Sequence, residues 1–169
     1  MATTYELIMS GTCSGTSSTL NSIPTTYTDL VLVINYSFGG SYGGYNNALQ
    51  VNGGNATHST TVVGGNGSTA SSSYQASNTE WLMSFPIGSP TTQASGIVVA
   101  HFNNYANTNI YKPVLIRHNV PLSSAPGLQQ GIGLYHSTTA INSITAQLLQ
   151  KEQCISTELR LHKWQIHMN

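Results

Sequence analysis

Short apolar or alternating segments, separated by Gly, Pro, Asn and Ser, run the length of the chain. None has the 3.6-residue periodicity of a long amphipathic helix. The stretch from Ser22 to Tyr36 organises the rest, because Leu30 to Ile34 is the longest strongly apolar run. It is too short to span a membrane, it is rich in β-branched and long aliphatic residues, and turn formers bound it. In a strand, Leu30, Leu32, Ile34 and Tyr36 share one face, and Val31, Val33 and Asn35 the other. With both faces apolar, the expectation is a strand buried on both sides at the centre of a sandwich or barrel. Pro24 has no N–H and must precede the paired region. Asp29 fits a strand-start residue that caps backbone donors locally, a better reading than a catalytic carboxylate.

The same pattern predicts strands at Thr4–Ser10, Ser18–Ile23, Leu30–Tyr36, Ala48–Asn52, Thr57–Val63, Glu80–Phe85 and Gly96–Phe102. Further strands follow at Val114–His118, Gly131–Tyr135, Ile141–Leu149 and Glu158–His167. Gln147 to Ile155 could instead hold one helical turn. Asn52-Gly53 and Asn66-Gly67 supply the positive φ angles of tight hairpin turns. Gly64 to Ser73 reads as flexible and low in complexity. In the final segment the apolar positions shift by one residue, from Leu159 and Leu161 to Trp164 and Ile166, which predicts a β-bulge. No linker separates two core-forming segments and no solenoid repeat is present. The fold expected is all-β: one antiparallel β-sandwich or jelly-roll-like domain over residues 1–169.

Composition narrows the function classes. Charged residues are 6% of the chain, against about 25% ordinarily, and the formal net charge is zero. Five dispersed cations make no footprint for nucleic acid, and none for a membrane surface. An uncharged, hydroxyl-rich surface has little colloidal repulsion, which suits a protein that works inside an assembly. The opening residues have no basic n-region and no apolar h-region, so no secretory signal is expected. The sequons at Asn35, Asn55 and Asn66 are then chance matches. Cys13 and Cys154 are read as free thiols, although a bridge is open to them if the terminal strands are neighbours.

The chain has no Gly-x-Ser-x-Gly elbow, phosphate-binding glycine loop, His-Glu-x-x-His or Cys-x-x-Cys. Five carboxylates leave few acid pairs for glycoside hydrolysis. Glu80 beside Trp81 is better read as a strand-edge charge. His58, His101, His118, His136, His162 and His167 lie singly on different segments, so ordinary exposed or hydrogen-bonded histidines are expected rather than a metal site. No catalytic, cofactor-binding or metal-binding residue is assigned. Phe38, Tyr42 and Tyr45, around the glycine-rich loop Phe38–Gly44, are the candidate contact residues for a protein neighbour or a sugar.

Several segments together resemble a group of tailed-bacteriophage and prophage virion proteins. They are Ala2-Thr-Thr-Tyr-Glu-Leu-Ile8, Ser10-Gly-Thr12 and Ser22-Ile-Pro-Thr-Thr-Tyr-Thr-Asp-Leu-Val-Leu32. The group typically opens with such a strand and continues with a Ser-Ile-Pro-x-Thr-Tyr-Thr-Asp-Leu strand. Gln50-Val-Asn-Gly53 is similar to its Phe-Asn-Gly turn, and Thr138-Thr-Ala-Ile-Asn-Ser-Ile-Thr145 to its penultimate strand. The likeness is close over roughly the first fifth of the chain and loose beyond. Where the group ends in Leu-Tyr-Gly-Ile, this chain has Leu161-His-Lys-Trp164, a departure that bears on the partner surface more than on the fold. The resemblance implies a non-enzymatic β-sandwich component of a virion, on the capsid exterior or the tail, made in the host cytoplasm. The first expectation is a capsid decoration or cement protein, trimeric, contacting the major capsid protein or other virion proteins. The alternative is a tail-tip module that recognises a host surface glycan.

Overall fold

The computed structural model describes residues 5–13, 16–38, 47–83, 95–121, 126–147 and 154–164. Its strands are β1 (Tyr5–Cys13), β2 (Ser17–Leu20), β3 (Asp29–Phe38), β4 (Ala48–Val51), β5 (His58–Gly65) and β6 (Ala70–Asn78). They continue as β7 (Trp81–Leu82), β8 (Ser95–Phe102), β9 (Lys112–Pro121), β10 (Pro126–Tyr135), β11 (Ile144–Gln147) and β12 (Cys154–Trp164). Each predicted segment overlaps one of these, and all described pairings are antiparallel. The strands form an eight-stranded sheet in the order β1-β12-β3-β8-β9-β10-β5-β6 and a four-stranded sheet in the order β2-β11-β4-β7. The result is an all-β sandwich with unequal layers.

The core lies between the layers. The larger sheet contributes Leu30, Leu32 and Ile34 from β3, Val98, Ala100 and Phe102 from β8, and Val114 and Ile116 from β9. The smaller sheet answers with Leu20, Leu49, Val51, Trp81, Ile144 and Ala146. Alternation explains this set, since every second residue of each strand turns inward. Trp81 packs edge-on to His58 at 4.7 Å and lies 5.8 Å from Phe102, so an aromatic cluster fills the β5 end of the core.

β3 is an interior strand of the larger sheet, but its two faces differ. Leu30, Leu32, Ile34 and Tyr36 are fully buried between the layers. On the other face Val31 is buried, Val33 is half-buried and Asn35 is exposed. The expected burial on both faces is therefore corrected to burial on one. The smaller sheet covers only the inner face, and Val31 is shielded by its cross-strand neighbours His101 and His162. Asp29 does begin the strand, but its Oδ1 accepts from the N–H of Asn104 at 2.7 Å, so it caps a distant turn rather than a local one.

Two turns differ in role. Asn66-Gly67 makes the β5–β6 hairpin: Asn66 Oδ1 accepts from the N–H groups of Ser68 and Thr69 at 3.1 and 2.9 Å, and Gly67 has φ +89°. Asn52-Gly53 has positive φ as expected, yet it carries the chain from β4 in one sheet to β5 in the other. The Asn52 side chain fixes that crossing. Its Nδ2 donates to the carbonyl of Ala140 at 2.9 Å, and its Oδ1 accepts from Asn142 N–H at 2.9 Å.

β6 lies outside the predicted strands, because Ser, Ala and Gln carry no apolar alternation. The bulge expected near Leu161–Trp164 sits on the partner strand: β1 holds an extra residue between Leu7 and Met9, opposite His162 and Leu161. The single helical turn weighed at Gln147–Ile155 falls mostly outside the described residues, and Cys154 and Ile155 belong to β12. Cys13 pairs with Thr157, three residues from Cys154.

Candidate binding face of the larger sheet

The register builds a continuous outer surface. One row crosses all eight strands as Leu7, His162, Val31, His101, Leu115, Ile132, Thr61 and Tyr74. The next carries Arg160, Val33, Val99, Arg117, Gln130 and Val63. Eight strands at about 4.8 Å spacing make this face about 34 Å wide, and three rows along the strands make it about 20 Å tall. Its area, about 700 Å², is close to the ~800 Å² that each partner contributes to a standard interface.

Seven large apolar side chains stand exposed on this one face: Leu7, Val63, Tyr74, Ile97, Leu115, Leu128 and Ile132, from 38% for Leu115 to 77% for Tyr74. Five of them lie on the β9, β10, β5 and β6 half. Single exposed aliphatics need no explanation, but a contiguous group does.

β10 shows why they point outward. Gly131 and Gly133 take the inward positions, where a Cβ on Gly133 would lie 2.6 Å from Trp81 Cδ1 and 2.7 Å from Val114 Cγ1. The aromatic cluster leaves no room for a side chain there. Leu128 and Ile132, at the alternate positions, are committed to the outer surface. Glycine inward and aliphatic outward is the reverse of ordinary alternation.

Shallow grooves indent the face. One of about 550 Å³ is lined by Val63, Gly65, Ala70, Ser72, Leu128 and Gln130. A second of about 290 Å³ lies beside Ser59, Thr61, Pro113, Ile132 and Leu134. Exposed Arg117, on β9, borders the apolar half, and Arg160 lies three strands further toward β1.

The buried polar groups are used structurally. Tyr36 hydroxyl bonds both His118 Nε2 and the carbonyl of Asn119, the latter at 3.1 Å. One hydroxyl hydrogen serves both only if Tyr36 donates to Asn119 and accepts from His118 Nε2–H. His118 Nδ1 is then a buried acceptor with no partner, and burial holds the ring's pKa down at about 4. His58, also fully buried, has its pKa lowered chiefly by burial; its ring nitrogens approach the backbone at Ala56 and Asn78 without well-directed bonds. The ordinary exposed or hydrogen-bonded histidines expected from sequence thus include two inside the core. Lys112 is buried too; its Nζ donates to the carbonyls of Ile110 at 2.9 Å and Ser137 at 3.2 Å, tying two loops to the end of β9. Burial lowers its pKa. Burial also raises that of Glu80, just before the short edge strand β7.

Among the described residues no three His, Cys, Asp or Glu side chains are grouped to hold a metal ion. No described helix is long and apolar enough to cross a membrane. Of the predicted contact residues, Phe38 ends β3, while Tyr42 and Tyr45 lie outside the described residues. The apolar sheet face was missed because aliphatics in a strand read as core. The one available signal was the Gly131 and Gly133 alternation with Ile132 and Leu134. No protein-family model, curated protein or solved structure matches the chain.

Proposed function

We propose that this protein is a non-enzymatic structural component of a bacteriophage virion, a capsid decoration or cement protein. In this reading it attaches to the outer surface of the capsid through the outer face of its eight-stranded sheet. One observation carries the attachment: seven large apolar side chains exposed on a single sheet face of interface size. The likeness of the Ser22–Leu32 segment to phage virion proteins supplies the setting. Such a protein acts by mass action, since binding the assembled shell and not its opened form stabilises the shell.

The test uses particles stripped of the protein. Purified protein should re-bind and raise the temperature at which the shell opens. Leu128→Asp and Ile132→Asp, both substitutions on the exposed surface, should remain folded and fail to bind. Re-binding by both variants, or a copy number of only a few per particle with glycan binding, would transfer the protein to the tail tip.

A further inference from the structure

The two edges of the larger sheet are unlike. β1 carries Glu6 and a bulge at Ile8, two devices that keep an edge strand single. β6, read Ala-Ser-Ser-Ser-Tyr-Gln-Ala-Ser-Asn, has no charge, no proline and no glycine. It is in register with β5 from Ala70 to Gln75; the irregularity lies beyond, where Ser77 has φ +59°. No described strand pairs with its free side. Along that side every second residue presents an N–H and a C=O outward, a template for another strand.

We propose that β6 pairs antiparallel with β6 of a second copy, joining two larger sheets into one continuous sheet. Three features favour a second copy over a foreign strand. The strand bears no charge that could select an oppositely charged partner. Any two-fold register centred on Ser72, Ser73 or Tyr74 sets only uncharged residues (Ser, Ala, Gln, Tyr and Asn) opposite each other, with no like charges facing. The third is the placement of the apolar residues. An antiparallel pair of identical strands has its two-fold axis perpendicular to the sheet, so the outer face stays outward in both copies. Val63, Tyr74, Leu128 and Ile132 crowd the β6 side of that face, so pairing brings the two apolar halves together across the seam. Taken with the proposed attachment, on which this part rests, the pair presents one doubled docking surface with its apolar centre at the dyad.

The seam itself is small. Six residues at about 3.4 Å span about 20 Å, and a sheet about 10 Å thick gives about 200 Å² per copy. That is about a quarter of a standard interface, so the free dimer should be weak, with Kd about 10⁻⁴ M. Two linked faces on one shell would gain further by effective concentration.

Sedimentation of the purified protein between about 10 µM and 1 mM should show a monomer passing to a dimer. Amides on the free side of Ser71–Gln75 should become protected from hydrogen exchange over the same range. Ser72→Lys places like charges beside the dyad and should weaken dimerisation about tenfold or more with melting unchanged. Ser10→Lys on the opposite edge should leave it intact. A strict monomer at about 1 mM, a dimer insensitive to Ser72→Lys, or a three-fold assembly with unprotected β6 amides would overturn the proposal. A monomer that still re-binds stripped particles removes this pairing and leaves the attachment; a dimer that does not re-bind does the reverse.

Discussion

Gly133→Ala tests the orientation of β10, on which the exposed apolar face depends. The added methyl would lie 2.6 Å from Trp81 Cδ1, 2.7 Å from Val114 Cγ1 and 2.8 Å from Trp81 Nε1. Ordinary carbon contacts are about 3.5–4.0 Å, so the overlap is close to 1 Å. Trp81 and Val114 are both fully buried and cannot swing into solvent. Overpacking of this kind costs about 1–3 kcal/mol. Replacing glycine returns about 0.4–1 kcal/mol by restricting the unfolded chain. The net loss should be about 1–2 kcal/mol, which for a chain of this size lowers Tm by about 2–8 °C. Gly131→Ala meets Val62 Cγ2 at 3.0 Å and Thr61 O at 3.1 Å, so its loss should be smaller. Ile132→Ala, on the exposed side, should cost at most about 1 kcal/mol. The assay is thermal and urea unfolding of the three variants beside the parent protein. A stabilised Gly133→Ala with an Ile132→Ala loss of about 2–5 kcal/mol would show the strand reversed and the apolar face internal.

Leu32→Asp should prevent folding, because it buries an unpaired carboxylate, while Val33→Asp on the half-covered outer face should give a soluble, cooperatively melting protein; equal yields would contradict one-sided burial. The neutral burial of His118 should make stability fall with acid. Its folded pKa of about 4 lies below the unfolded value of 6.5, so only the unfolded state gains a proton between those values, and about 3 kcal/mol is lost as pH drops through that window. Urea midpoints measured from pH 7 to pH 4 should fall less for His118→Gln, with a remaining slope from His58, whose shift has the same direction. Attachment through apolar contacts should persist at about 1 M salt, where exposed ion pairs are screened; release at that salt with recovery on dilution would point to Arg117 and Arg160 instead.

The sandwich was legible because β3, β8 and β12 carry strong apolar or β-branched patterns and because Gly, Pro and Asn mark their ends. The Asn66-Gly67 hairpin was legible from turn chemistry alone. Yet its second strand, β6, was not, since a run of Ser, Ala and Gln becomes a strand only by pairing with β5. The faces of β3 were half legible. Local pattern marks Val31 and Val33 as apolar, but whether a second layer covers them depends on how wide the smaller sheet is, and that is a tertiary property. The exposed apolar face was hidden for the converse reason. Leu128 and Ile132 read as core until Trp81, from a distant segment, is seen to occupy the inward side of β10. Loop aromatics drew attention to Phe38, Tyr42 and Tyr45, because composition points to loops more readily than to the outside of a sheet.

The proposed attachment sets the outer face of the eight-stranded sheet against a virion surface. Imaging of the particle at a resolution that fixes the sheet's orientation tests it most directly. With that attachment, density for the protein lies on the capsid exterior with Leu115, Leu128 and Ile132 against the shell and the four-stranded sheet turned to solvent. The opposite orientation, with the four-stranded sheet against the shell and the seven apolar side chains in water, would contradict it.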